Sequence, residues 1–209
     1  MGGVESGLDG DERSVSTEAA ASQRPVRAFV AIALPDGMRQ SLHTLAKRLR
    51  AARVRVTWTA PERMHLTLRF LGEISPAAID AIAAALRDAY AGREPFSLAV
   101  RGVGAFPSMQ RPRVLWAGVE PAEGPVPALN ETAEQAARDA GLPPEKQAFH
   151  PHITLGRIRD HARAGWMESA LLSEKGFNGG EFTVKSVSLY ASHLTPTGPQ
   201  YQRLHEFPF

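Results

Sequence analysis

Two short stretches, far apart in the chain, carry the same pattern and limit what the rest can build. Met64–Gly72 reads MHLTLRFLG and Pro151–Arg157 reads PHITLGR. Each contains His, apolar, Thr, apolar: His65-Leu66-Thr67-Leu68 and His152-Ile153-Thr154-Leu155. Strict alternation of this kind reads as a half-buried β-strand. Successive strand side chains point to opposite faces. Leu66, Leu68 and Phe70 are therefore expected on a core face, with His65 and Thr67 together on the other. Ile153 and Leu155 repeat the core face, and His152 and Thr154 the polar one. Residues two apart on one face sit roughly 6.5–7 Å apart, so one phosphate can touch both an imidazole and a hydroxyl.

With seven His and ten Thr in 209 residues, chance supplies about 0.3 His-x-Thr triplets. A third copy, His193-Leu194-Thr195, is followed by Pro196, which suits a strand end and not a central strand. Only the first two copies have apolar residues on both sides of the Thr and strand-like flanks. The motif histidines lie 87 positions apart, close to half of the chain once its N-terminal segment is set aside.

Composition narrows the chemistry. The chain has no cysteine, so disulfides, a thiol nucleophile and Cys-ligated zinc are excluded. No apolar run approaches the ~20 residues that span a bilayer, and a cytoplasmic monomer is expected. Residues 1–24 hold five acids and two Arg, where a secretory signal needs a basic and then an apolar region. That segment reads as a disordered tail, leaving 25–209 as a single bilobal domain. The remaining residues hold 22 basic and 17 acidic side chains, a net of +5. A modestly basic body suits an anionic ligand but falls short of a duplex-binding surface.

Periodicity supplies the elements. Val26–Leu34, Val54–Trp58, Phe96–Phe106, Val114–Val119, Phe182–Ser192 and Tyr201–Phe207 read as strands alongside the two motif strands, which end at Gly72 and Gly156. Met38–Ala52, Ala77–Tyr90, Ala128–Ala140 and Asp160–Leu172 read as helices. Ser75-Pro76 supplies an N-cap followed by Pro at the first helical position. Pro121–Pro127 reads as a linker. The layout repeats, which predicts an α+β fold of two pseudo-symmetric lobes. Each is an antiparallel sheet with helices packed on the outside, and the motif strands face each other across a central cleft.

Two imidazoles can serve as general base and general acid near neutral pH. Phosphoryl transfer needs nucleophile and leaving oxygen on opposite sides of phosphorus. A histidine on each side supplies that arrangement, and Thr67 and Thr154 can hydrogen-bond the non-bridging oxygens. A strained cyclic phosphate suits the apparatus, because its leaving oxygen needs only a proton. No metal and no cofactor is called for; His150-Pro151-His152 lacks a nearby third ligand. Strand parity puts Arg69 on the face of His65 and Thr67. It puts Arg157 on the opposite face from His152, unless Gly156 allows a bulge. Phe149, Phe106 and Tyr190 are candidates to stack a nucleobase.

The paired motifs resemble those of the two-histidine (2H) phosphoesterase superfamily, most closely its RNA 2′,3′-cyclic phosphodiesterase branch, also called the 2′-5′ RNA ligase family. RAFVAIALP, VTWTAPERMHLTLRFLGE, VGAFPSMQRPRVLWAGV, FHPHITLGRI and LYASHLTPTGPQYQRLHEFPF carry the resemblance, from about Arg27 to Phe209. It implies metal-independent hydrolysis of RNA 2′,3′-cyclic phosphate ends to 2′-phosphomonoesters, with 2′-5′ ligation in vitro. The partners implied are RNA ends or 2′,3′-cyclic nucleotides. It implies His152 as the base toward water and His65 as the acid toward the 3′ oxygen, roles that ligation exchanges. It also matches Arg157 to an Arg that often ends the second motif. Two alternatives stand beside this reading. One is a related phosphodiesterase acting on 2′-5′ oligonucleotides or ADP-ribose cyclic phosphate. The other is a nucleotide- or RNA-binding module without turnover.

Overall fold

A computed structural model describes residues 24–159, 165–196 and 198–209. The expected tail falls on 1–23, outside the described residues; so do the first five positions of the helix expected over Asp160–Leu172, and Thr197 in the final turn. The strands are β1 (Val26–Ala33), β2 (Val56–Trp58), β3 (His65–Ile74), β4 (Phe96–Phe106), β5 (Val114–Glu120), β6 (His152–Ile158), β7 (Asn178–Val184), β8 (Ser186–Thr195) and β9 (Gly198–Pro208). The helices are α1 (Asp36–Leu49), α2 (Pro76–Tyr90), α3 (Pro125–Asp139) and α4 (Trp166–Ser173). None is long and apolar enough to cross a membrane.

The fold is α+β, built on one curled antiparallel sheet in the order β7-β4-β5-β6-β3-β1-β8-β9, with β2 paired to β6. Its two lobes are the two halves of that sheet. Counting outward from the middle, β3-β1-β8-β9 mirrors β6-β5-β4-β7. The halves meet at one antiparallel pair, Leu66 opposite Ile153. Both residues are fully buried, so the seam is anchored by the apolar half of each motif.

The chain weaves the lobes together. After β1 in the first lobe, α1 packs against β7 of the second; after β5 in the second, α3 packs against β3 of the first. At Lys185 the chain passes from β7 at one edge of the sheet to β8 in the other lobe. The outer ends therefore converge, and Phe96 beside β7 stacks on Phe209 beyond β9 at 6.2 Å. The strand expected over Phe182–Ser192 is thus two strands divided between lobes. Most of β7, with its two glycines, carries too little β signal to be expected from sequence.

Local chemistry explains where α2 and α3 begin. The Ser75 hydroxyl accepts from the Ala78 N–H at 3.2 Å, with Pro76 next to it in the first turn. Helix α3 begins at Pro125, three residues before the sequence suggested, because a first-turn proline gives up an N–H that has no helical partner. Tyr90 ties α2 to α3 by donating its hydroxyl to the Leu129 carbonyl at 2.8 Å. Burial drives its pKa upward.

The motif strands do not end at their glycines; they run on to Ile74 and Ile158. Each also carries a β-bulge at the equivalent place. On β3, Arg69 pairs with Val30 and Thr67 with Ala31, leaving Leu68 as the extra residue. On β6, Gly156 pairs with Leu115 and Thr154 with Trp116, leaving Leu155 as the extra residue. A bulge inserts one residue and reverses the alternation beyond it. The carbonyls it frees find partners: Asn130 Nδ2 of α3 donates to Leu68 O at 2.7 Å, and Thr59 N donates to Leu155 O at 2.9 Å.

This reversal corrects the expectation for Arg69 and Phe70. Arg69 turns inward, 7% exposed, while Phe70 turns out, 53% exposed. The Arg69 guanidinium pairs with Glu134 of α3, reaches Glu145, and donates to the Phe70 and Pro143 carbonyls. It fastens α3 and the following loop to the back of the sheet and does not share a face with His65 and Thr67.

Arg69→Ala is expected to destabilise the fold by about 3 kcal/mol, the low end for breaking a buried pair because Glu134 keeps some contact with water. Denaturant unfolding measures it, and the substrate KM should be unchanged. Asn130→Ala, which strips the Leu68 carbonyl of its donor, should cost about 1–3 kcal/mol in the same assay.

Candidate active site

The polar halves of the two motifs converge where the lobes meet. One residue to either side of the Leu66–Ile153 pair, the antiparallel register sets His65 toward Thr154 and Thr67 toward His152. The four side chains share one face and are all half-buried. Strands from opposite lobes thus bring both imidazoles to a single place.

Each imidazole is held by the same device. Nδ1 of His65 lies 2.8 Å from the Arg63 carbonyl, and Nδ1 of His152 lies 2.7 Å from the His150 carbonyl. A carbonyl can only accept, so Nδ1 carries the hydrogen in both rings and Nε2 presents its lone pair. Neither Nε2 has a hydrogen-bond partner among the described residues. Thr67 and Thr154 likewise commit neither hydroxyl to a partner there. The two bases and two hydroxyls are therefore free for a ligand.

Aromatic side chains fix the rings further. Phe29 stacks on His65 with centroids 4.7 Å apart, and Tyr201 meets it edge-on at 5.3 Å. Phe106 meets His152 edge-on at 4.9 Å, and Trp116 lies 6.5 Å from it. Trp116 needs Gly104 beneath it, since a Cβ there would sit 2.2 Å from its ring. Its Nε1 is the one buried side-chain nitrogen or oxygen without a partner among the described residues. Of the stacking candidates, Phe106 borders His152 and Tyr190 stacks on Phe29 at 5.3 Å. Phe149 packs against the apolar core and makes no ring contact with either imidazole.

Electrostatics set the proton state. Burial lowers the pKa of His65, the Arg63 carbonyl opposes this, and the charge of His152 lowers it further. Burial also lowers His152, against the His150 carbonyl, with Arg157 and His150 adding repulsion. The influence of His152 on His65 means the second proton is resisted once the first is bound. A pair holding one proton can offer a base and an acid together.

Arg157 lies on this face because the Leu155 bulge brings it round to join His152 and Thr154. Its charge reaches His152 and also Tyr201 of the opposite lobe, where Arg63 and Arg27 act as well. Strand parity alone placed it wrongly, and Gly156 explains the difference. A Cβ on Gly156 would sit 2.7 Å from Val56 Cγ1, so glycine lets β2 press against β6 beside the bulge. The parts not anticipated from sequence are Phe29, Tyr201, Trp116 and the two carbonyls that orient the imidazoles. Carbonyl orienters leave no mark on residue type, and the ring contacts depend on strand order.

The third His-x-Thr copy lies at the far end of β8, where His193 bonds Gln202 at 3.2 Å and Leu194 is 74% exposed. It belongs to a hairpin tip. Among the described residues no group of three potential metal ligands converges.

Comparison with known proteins agrees with this architecture. The model of the LigT-like phosphoesterases matches residues 32–116 and 119–201, one stretch for each motif. An RNA 2′,3′-cyclic phosphodiesterase of Methanothermobacter thermautotrophicus is 32% identical, over 87% of this chain and 98% of its own. One from Thermotoga maritima is 34% identical over 88% and 96%. A crystal structure from Thermus thermophilus superposes with a TM-score of 0.72 at 30% identity, covering 87% of this chain and 97% of that one. Escherichia coli LigT in complex with 3′-AMP superposes with a TM-score of 0.69 at 27% identity, covering 88% and 98%. With both halves matched and the relatives covered almost end to end, the chain belongs to the LigT-like phosphoesterase family.

Proposed function

We propose that this protein is an RNA 2′,3′-cyclic phosphodiesterase that opens the cyclic ester to a 2′-phosphomonoester without a metal ion. The observation that carries the reading is the pair of Nε2 lone pairs, each fixed by its own carbonyl, meeting across a pseudo-two-fold seam. A phosphodiester seated there has an imidazole on either side of phosphorus, as in-line displacement requires.

His152 takes a proton from water as the water oxygen bonds to phosphorus. The bond from phosphorus to the 3′ oxygen breaks, and His65 delivers its proton to that oxygen. The hydroxyls of Thr67 and Thr154 donate to the non-bridging oxygens, and Arg157 offsets their negative charge. The substrate's anionic charge also counters the repulsion between the imidazoles and stabilises the one that must be protonated. Joining a 5′ hydroxyl to the same cyclic ester follows the same scheme with that hydroxyl in place of water, so each imidazole keeps its role. Only cleavage of the 2′-5′ bond back to the cyclic ester exchanges them.

His65→Ala and His152→Ala are each expected to lose about 10²–10⁴-fold in kcat on 2′,3′-cyclic nucleotides, with unchanged unfolding midpoints. A substrate whose 3′ oxygen is replaced by sulfur leaves without a proton. It should restore His65→Ala and leave His152→Ala inactive; the opposite pattern exchanges the roles. Wild-type turnover should persist in EDTA, and its abolition by the chelator contradicts metal-independent action.

The pH profile follows from the shift directions. Both imidazoles titrate below their ordinary value of about 6.5 in the free protein. Log kcat/KM should therefore be a bell whose alkaline limb begins below neutrality, where the acid loses its proton. In kcat that limb should move to higher pH, because bound phosphate stabilises the charged imidazole. A profile that rises monotonically with pH contradicts the paired assignment.

A further inference from the structure

Beyond the four motif side chains, the cleft face of the second lobe continues as a row of arginines. Arg157 on β6 pairs across the sheet with Thr57 on β2. Just past the end of β6, Arg159 donates through Nε to the Thr57 hydroxyl at 3.0 Å, which puts both on the face of Arg157. The backbone ladder continues, with Arg159 N donating to Arg55 O at 2.8 Å. Arg55 is two residues from Thr57 and so falls on the same face. Arg113, just before β5, is opposite Ile158 and so falls on the other face, outside this row.

Arg157, Arg159 and Arg55 are exposed, and none is paired with a carboxylate among the described residues. Elsewhere Arg39, Arg48, Arg69, Arg101 and Arg203 each have such a partner. Like charges gathered without counter-charge repel one another, and a polyanion relieves that repulsion. From His152 to Arg159 the row runs on the order of 20 Å at strand rise. It begins at the phosphate position, and Phe106 and Trp116 flank that beginning. A basic groove with aromatic side chains beside it is the form that single-stranded nucleic acid takes up.

We propose that Arg55 and Arg159 hold the phosphates of a single RNA strand leading to the cyclic end, so that the preferred substrate is an oligonucleotide and not a mononucleotide. A 3′-terminal cyclic phosphate has RNA on one side only, and the row supplies one track. This inference rests on the proposed function for the identity of the end group but not for the binding of the strand. An anionic membrane surface is the other polyanion that arginines could meet. The position of the row on the concave cleft face, continuous with the histidines, favours a strand over a bilayer.

The test compares a 2′,3′-cyclic mononucleotide with an RNA octamer ending in the same group, using wild type and the double variant R55S/R159S. The octamer should have the higher kcat/KM, and the double variant should lower it about tenfold on the octamer while leaving the mononucleotide unchanged. Equilibrium binding of the 2′-phosphate octamer, read by fluorescence anisotropy against salt, supplies a readout independent of turnover. Removing two phosphate contacts should flatten the log–log salt slope by about 1.4. Equal loss on both substrates, or an unchanged slope, overturns the proposal. So does retention by phosphatidylserine vesicles without any preference for the longer RNA. If wild type binds the octamer with the expected slope but hydrolyses neither substrate, the proposed function fails and the strand track stands.

Discussion

The site depends on one short contact between strands, the antiparallel pairing of β3 and β6 at Leu66 and Ile153. These strands lie in different halves of the chain and touch only there, at the middle of the sheet. Because the pair is antiparallel, it carries a local two-fold axis, and whatever one strand presents the other presents in opposite direction. Two copies of His-x-Thr placed on that axis become a ring of alternating imidazoles and hydroxyls. The apolar partners Leu66, Leu68, Ile153 and Leu155 are buried beneath. Burial of this face fixes the register, since a slip of one residue would exchange polar for apolar side chains. Stability and site geometry are thus set by the same residues.

The paired bulges decide which other side chains reach the cleft face. Without them both arginines would fall where simple alternation puts them, Arg69 in the cleft and Arg157 behind it. With them the positions are reversed. The same distortion serves two purposes because its surroundings differ. On β3 the inward arginine meets Glu134 of α3 and anchors a helix; on β6 the equivalent residue is Gly156, over which β2 closes. The lobes are alike in backbone and have diverged in what they attach. Weaving by α1, α3 and the crossing at Lys185 keeps the two halves from opening at their narrow seam.

Much of this was legible in the sequence because it rests on short-range pattern. Alternation and, for β1, an apolar β-branched run located β1, β3, β4, β5 and β6; the Ser75-Pro76 cap located α2; and duplication of His-x-Thr singled out the four polar residues now found on one face. What was not legible depends on partners distant in sequence. A bulge at Leu68 or Leu155 has no side-chain signature of its own, so parity misled for Arg69. The separation of β7 from β8 at Lys185 follows from the curl of the sheet. Phe29 and Tyr201 read as ordinary strand residues until β1, β8 and β9 were placed beside His65. Resemblance to a family pointed to Arg157 where strand geometry alone pointed away from it.

The central claim is that His65 and His152, oriented through Nδ1, address one phosphate from two sides. Histidine-selective 15N NMR during titration with a 2′-nucleotide tests it most directly. The account predicts that both free imidazoles are Nδ1–H tautomers titrating below the usual histidine range. It also predicts that the Nε2 signals of both respond together as a single ligand binds, while His193 and His205 do not. An Nε2–H tautomer in either ring, or a response confined to one of the two, would contradict it.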